Sequence, residues 1–194
     1  MDAELSDKLF RDVITVLNKN RVKYWLDYGT LLGAIREGDW ISSDFDIDIG
    51  IYYPKGDANL YKDLCKIGIT LDIDYFDVKG KGFPRKSNIL INSYCNRFAK
   101  LEIMPYYKTG DNYCKLTQQR EDGIYGAETP AKFFDKLNTY FFKGMYVKIP
   151  SEVDEYLKFL YGDWKTPRMD IPSTYKKDFI KIDEVKLVNQ NIWK

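Results

Sequence analysis

Histidine is absent from this 194-residue chain. Its absence excludes Ser-His-Asp and Cys-His nucleophilic centres, together with every zinc site that needs an imidazole. Cysteine is scarce. Cys65, Cys95 and Cys114 are odd in number, far apart and without a Cys-x-x-Cys pair, so they read as reduced core thiols and not as a redox or zinc motif. No apolar run reaches the roughly 18 residues that cross a bilayer. The N-terminus carries Asp2 and Glu4 and lacks a basic region followed by an apolar stretch, so no secretory signal is expected and the expected location is cytoplasmic. An excess of either charge is also missing. Lys and Arg total 30 against 29 Asp and Glu, a net charge of +1, which gives no general pull toward nucleic acid or an acidic membrane surface. Chemistry is left to carboxylates, Lys, Arg, Tyr, hydroxyls or a hard metal ion.

What is present suits one soluble globular domain over 1–194, with 44% hydrophobic and 30% charged residues. Leu5, Leu9, Val13 and Val16 or Leu17 predict an amphipathic helix from Asp2 to Asn18. Tyr24–Tyr28 reads as a short buried strand broken at Gly29, with Thr30 placed to cap a helix that stops at Gly38. A helix over Ala58–Ile67 is followed by strands at Ile69–Asp77, Ile89–Asn92 and Phe98–Met104, the last ended by Pro105. Residues 107–128 are rich in Gly, Asn, Asp and Gln and read as a long surface loop suited to holding a substrate. Thr129-Pro130 starts another helix, Lys143-Gly144 turns a hairpin between aromatic strands, and Ser151-x-x-Asp154 forms a capping box for a last helix ending at Gly162. Residues 165–194 form an irregular extension. The fold class is α+β, a sheet with helices packed mainly on one side.

The chemistry concentrates at residues 44–51. Phe45, Ile47, Ile49 and Ile51 alternate with Asp44, Asp46, Asp48 and Gly50, a period of two that a strand uses. Like charges about 6 to 7 Å apart on one strand face repel, and two hard Mg²⁺ or Mn²⁺ ions would remove that penalty. The bland alternative is a solvated face opposed by Lys or Arg. An EF-hand loop is excluded because Ile49 stands where Gly belongs and Lys55 where Glu belongs. Gly29-Thr30, between strand and helix, could bind a phosphate or simply allow a tight turn. Arg36 could clamp a phosphate, or pair with Asp44 or Glu37. For a third acid Asp72, Asp74, Asp77 and Glu102 compete. Leu71-Asp72-Ile73 and Leu101-Glu102-Ile103 both set an acid between apolar strand residues.

The run Tyr28-Gly29-Thr30-Leu31-Leu32-Gly33-Ala34-Ile35-Arg36-Glu37-Gly38, then Ile41 and Asp44-Phe45-Asp46-Ile47-Asp48, resembles the signature of LicD-type transferases. That family includes bacterial phosphocholine transferases and the fukutin and fukutin-related ribitol-phosphate transferases. Val147-Lys148-Ile149-Pro150, Tyr156-Leu157 and Tyr161-Gly162-Asp163-Trp164 match it downstream. Ser42-Ser43 departs from the family's usual Pro-Trp, and the chain is short for the family. The resemblance implies a mixed-sheet nucleotidyltransferase fold of the polymerase beta superfamily. It also favours Glu102, because Leu101-Glu102-Ile103-Met104-Pro105 resembles the family's apolar-Asp-apolar-Phe-Pro segment.

On that resemblance Asp46 and Asp48 ligate the metal, Asp44 supports them, and Glu102 completes the set. Gly29 and Thr30 hold a phosphate, with Arg36 assisting. The expected reaction moves a phosphoalkanol such as phosphocholine from a CDP-linked donor to a sugar hydroxyl of a glycan, releasing CMP. Nucleotidyl transfer from an NTP uses the same metal geometry. A silent nucleotide- or glycan-binding module would show a damaged acid set, and a DxD glycosyltransferase would not require Gly29-Thr30.

Overall fold

Apolar spacing sets the first helix. In the computed structural model, which describes residues 3–44, 46–52, 58–73, 89–93, 100–120, 123–167 and 180–181, helix α1 (Ala3–Lys19) buries Phe10, Val13, Ile14 and Leu17 along one face. Strand β1 (Tyr24–Leu26) follows and pairs antiparallel with β2 (Asp46–Tyr52). The strand expected through Tyr28 ends earlier, because Asp27 accepts the Tyr28 N–H at 3.0 Å and caps α2 (Tyr28–Arg36). Thr30, expected as the cap, is instead buried inside the helix.

Helix α3 (Ala58–Lys66) packs on α1 and leads into β3 (Ile69–Ile73), which pairs with β4 (Ile89–Ser93). Cys65 is exposed on α3, one position past buried Leu64, so it is no core thiol; Cys114 is buried, and Cys95 lies outside the described residues. Phe45 and the remainder of the Ile69–Asp77 segment also lie outside them.

Strand β5 (Lys100–Thr109) is central. It runs parallel to β2, while β4 pairs with its residues 100–103 and β6 (Asn112–Arg120) with its residues 107–109, both antiparallel. Pro105 therefore does not end the strand: it falls between the β4 and β6 ladders, where neither asks for its missing N–H. The loop expected over 107–128 is a pair of hairpins, β5–β6 and then β6 with β7 (Gly123–Pro130). Its polar composition misled because an antiparallel strand can keep polar residues at its exposed positions; Tyr107, Tyr113 and Cys114 are buried, and Gly110 turns the first hairpin at φ 67°.

Pro130 ends β7, and only a single 3-10 turn, Ala131–Phe133, follows where a helix was expected. Strands β8 (Leu137–Phe142) and β9 (Met145–Pro150) form the expected hairpin around Lys143 and Gly144. Helix α4 (Val153–Tyr161) is preceded by Glu152 without a side-chain cap bond, so the Ser151-x-x-Asp154 box does not form. Within the 165–194 stretch, β10 (Ile180–Lys181) pairs with β7. Among the described residues the strands make an 8-stranded mixed sheet and the separate β8–β9 hairpin, which fits the α+β expectation. No described helix is long and apolar enough to cross a membrane.

The sheet carries an aromatic cluster beyond its acids. Trp25 stacks on Phe134 with centroids 4.2 Å apart and packs near Tyr52 and Tyr106. Gly50 makes room for it, since a Cβ there would fall on the indole. Helix α4 closes over this cluster, stops at Gly162 (φ 69°), and leaves Trp164 buried with its carbonyl accepting from Arg36 Nη1 at 3.2 Å.

Trp164→Ala removes a buried aromatic, and at about 3 kcal/mol for such a truncation the melting temperature should fall by roughly 6 to 12 °C for a chain of this size. An unchanged melting temperature would show that Trp164 does not tie α4 to the fold.

Candidate active site

The alternation in β2 divides its side chains between two environments. Ile47, Ile49 and Ile51 are buried on one face, and Asp46, Asp48 and Gly50 stand on the other. Asp44 precedes the strand, its N–H bonded to Ile41 O at 2.9 Å, and this bend returns its carboxylate to the others. One oxygen from each of Asp44, Asp46 and Asp48 lies within 4.8 Å of the rest.

Glu102 enters through strand register. It is the Cα partner of Asp48 across the parallel β2–β5 ladder, so the two share a face, and both line one cavity. Asp72 pairs with Leu90, which pairs with Glu102. Asp72 thus stands in the same row but three strands from Asp48, about 14 Å at the usual strand spacing. Asp74 and Asp77 lie outside the described residues.

Asp48 is tied to the start of α2 by three hydrogen bonds. Its N–H donates to Thr30 Oγ1 at 2.8 Å, its carbonyl accepts the Asp27 N–H at 3.2 Å, and its Oδ2 accepts the Gly29 N–H at 3.1 Å. Gly29 leaves room for Asp44, since a Cβ there would fall on Asp44 Oδ2 and displace that carboxylate from the cluster. The Gly29-Thr30 pair therefore spends its donor and acceptor on the acid strand itself. Arg36 pairs with Glu37 at 2.7 Å, one of the partners left open by the sequence, and is not among the described residues that line the cavity.

Sequence reasoning missed Asp27, Lys115 and the aromatic walls. Asp27 is fully buried; its Oδ1 accepts from Tyr156 OH at 2.5 Å and its Oδ2 from Tyr106 OH at 2.8 Å. Burial raises its pKa against the lowering effect of these donors. Asp48 is pushed well above the carboxylate range, first by burial and then by Asp46, Asp27, Glu102 and Asp44. Because the folded state prefers Asp48 protonated, its contribution to stability is full below the ordinary carboxylate pKa and is lost as pH rises through the raised value.

The cavity, about 350 Å³, is lined by the acids Asp44, Asp46, Asp48 and Glu102 together with Tyr28, Leu32, Ile41, Met104, Lys115 and Tyr161. Lys115 Nζ lies 4.1 Å from the Tyr28 ring centroid and 3.3 Å from Met104 Sδ. Burial works to lower its pKa, but Tyr28, Asp27 and Asp48 outweigh it and keep the ammonium charged. No spacing marks Lys115 in the sequence; only the β6 pairing brings it here.

This arrangement defines a nucleotidyltransferase-like fold. A solved lincosamide antibiotic adenylyltransferase, LnuA, bound to lincomycin, matches over 94% of this chain and 94% of its own with a TM-score of 0.51 at 16% identity, a likeness of fold. The family described as LicD/FKTN/FKRP, nucleotidyltransferase domain, matches residues 21–152, and the chain belongs to that family. Ribitol 5-phosphate transferase FKRP of Mus musculus is 29% identical over 159 residues, covering 78% of this chain and 30% of FKRP. Ribitol-5-phosphate transferase FKTN of Homo sapiens is 28% identical over 160 residues, covering 78% of this chain and 31% of FKTN. The chain thus spans under a third of the length of these relatives.

Thr30→Val strips the acceptor from a buried N–H and should cost about 1 to 3 kcal/mol, whereas Thr30→Ser should retain most of the stability. Chemical denaturation distinguishes this from a donor-binding role, for which Thr30→Val would leave stability unchanged and raise only the donor KM.

Proposed function

We propose that this chain is a divalent-metal-dependent transferase that moves a phosphoalkanol group from a CDP-linked donor to a sugar hydroxyl of a glycan. One observation carries the reading: the carboxylates of Asp44, Asp46 and Asp48 converge within 4.8 Å on a cavity that Glu102 also lines. Such a hard, all-oxygen donor set suits Mg²⁺ or Mn²⁺, held by Asp46, Asp48 and Glu102 with Asp44 in support. A bound ion of this kind neutralises negative charge that develops on phosphate oxygens during transfer. The names of the relatives, transferases of ribitol 5-phosphate, support a phosphoalkanol as the transferred group.

Glu102, half-buried at the cavity wall, takes the proton of the acceptor hydroxyl as that oxygen bonds to phosphorus and the phosphorus–oxygen bond to CMP breaks. Leu32, Ile41 and Tyr161 line the same cavity and restrict water there. The Lys115 ammonium already covers the Tyr28 ring, the face a choline cation would need, which favours a phosphate carried by a neutral polyol over phosphocholine.

Thermal-shift measurements with Mg²⁺ should show stabilisation by CDP-ribitol exceeding that by CDP-choline or by NTPs; preferential stabilisation and turnover with an NTP would move the reading to nucleotidyl transfer. Glu102→Gln should lose orders of magnitude in turnover while Asp72→Asn stays near normal, and the reverse would reassign the third acid. Asp48→Asn should abolish turnover yet leave the metal-free protein equally or more stable at pH 7, through relief of carboxylate repulsion. Retained turnover in excess EDTA or in Asp48→Asn would contradict metal-dependent transfer.

A further inference from the structure

Lys115 is the one cation among the described residues that line the cavity. It projects from β6, where its Cα partner is Ala127. Among the described residues no salt bridge holds it; its Nζ meets Met104 Sδ, a weak acceptor, and the Tyr28 hydroxyl and ring, with Asp27 and Asp48 near enough to favour its charge. An ammonium with three donors can give more than these neighbours take.

Its position along the strands matters. Met104 and Glu102 point to the same face of β5, two residues or about 7 Å apart. Asp46 is level with Lys100, Asp48 with Glu102 and Gly50 with Met104, so Lys115, at Met104, lines the cavity past Asp48 on the side away from Asp46. The donors that the sequence offered for phosphate are committed elsewhere: the Gly29 N–H to Asp48, and the Arg36 guanidinium to Glu37 and the Trp164 carbonyl. A ligand serving both groups needs oxygens for a cation held by the acids and further oxygens for an ammonium. A diphosphate has this form.

We propose that Lys115 binds a non-bridging oxygen of the donor's diphosphate, fixing the donor on the side of the cavity away from Asp46. This assignment rests on the transfer reading above. Lys115 keeps its proton throughout: it donates hydrogen bonds and offsets charge as the phosphorus–oxygen bond to the leaving nucleotide breaks.

The test is calorimetric titration of inorganic pyrophosphate, CDP and cytidine into the full chain with Mg²⁺, for wild type, Lys115→Met, Lys115→Gln, Lys115→Arg and Asp48→Asn. Loss of a charge-assisted hydrogen bond should weaken pyrophosphate and CDP about 10- to 100-fold in the Met and Gln variants, with cytidine unchanged and Arg recovering part of the affinity. Equal weakening of cytidine would mark a structural role and overturn the proposal. Wild-type pyrophosphate affinity in either folded variant overturns it too, and the transfer reading survives if Asp48→Asn still abolishes turnover. Lys115-dependent pyrophosphate binding without stabilisation or turnover by any CDP-alcohol would retain the anion site and overturn the transfer reading. A wild-type protein that binds neither pyrophosphate nor CDP overturns both.

Discussion

Residue 48 is held at three points by Asp27, Gly29 and Thr30, and the candidate site depends on that attachment. Its N–H, carbonyl and carboxylate are each bonded within Asp27–Thr30, so the first turn of α2 and the acid strand cannot be placed independently. The Gly29 N–H gives the buried Asp48 carboxyl a hydrogen-bond partner, which lowers the cost of placing a polar group there. At Gly29 a Cβ would push the Asp44 carboxylate out of the acid cluster.

Asp27 extends this constraint outward. By accepting from Tyr106 on β5 and Tyr156 on α4 while capping α2, one carboxylate joins the strand beside the acids to the helix that closes the fold. Both tyrosines are held well above their ordinary pKa, chiefly by burial and then by Asp27, and so remain donors at any physiological pH. The aromatic cluster around Trp25 and Phe134 continues from there, so packing and acid placement share the same residues.

Much of this is legible in the sequence. The Asp44–Ile51 alternation announced a strand with an acid face because period two is written directly in residue type, and Glu102 required only that its strand lie beside it. The bonds around Asp48 were not legible: all three use main-chain donors, so Gly29-Thr30 read as a phosphate turn. Residues 107–128 misled for a different reason. Composition suggested a loop, while long-range pairing made strands and carried Lys115 to the cavity. Pro105 read as a terminator because the change of strand neighbour around it cannot be seen locally. Asp27 carried no signal, since its partners lie 79 and 129 residues away.

Membership in the LicD/FKTN/FKRP family and this acid geometry make metal binding the central claim. The most direct measurement is an electron paramagnetic resonance titration of Mn²⁺ into the metal-free chain at neutral pH, with and without CDP. The account predicts saturable Mn²⁺ binding that tightens with CDP and disappears when Asp46 and Asp48 are both replaced by Asn. Free Mn²⁺ signal undiminished by the protein, even at saturating CDP, would contradict it.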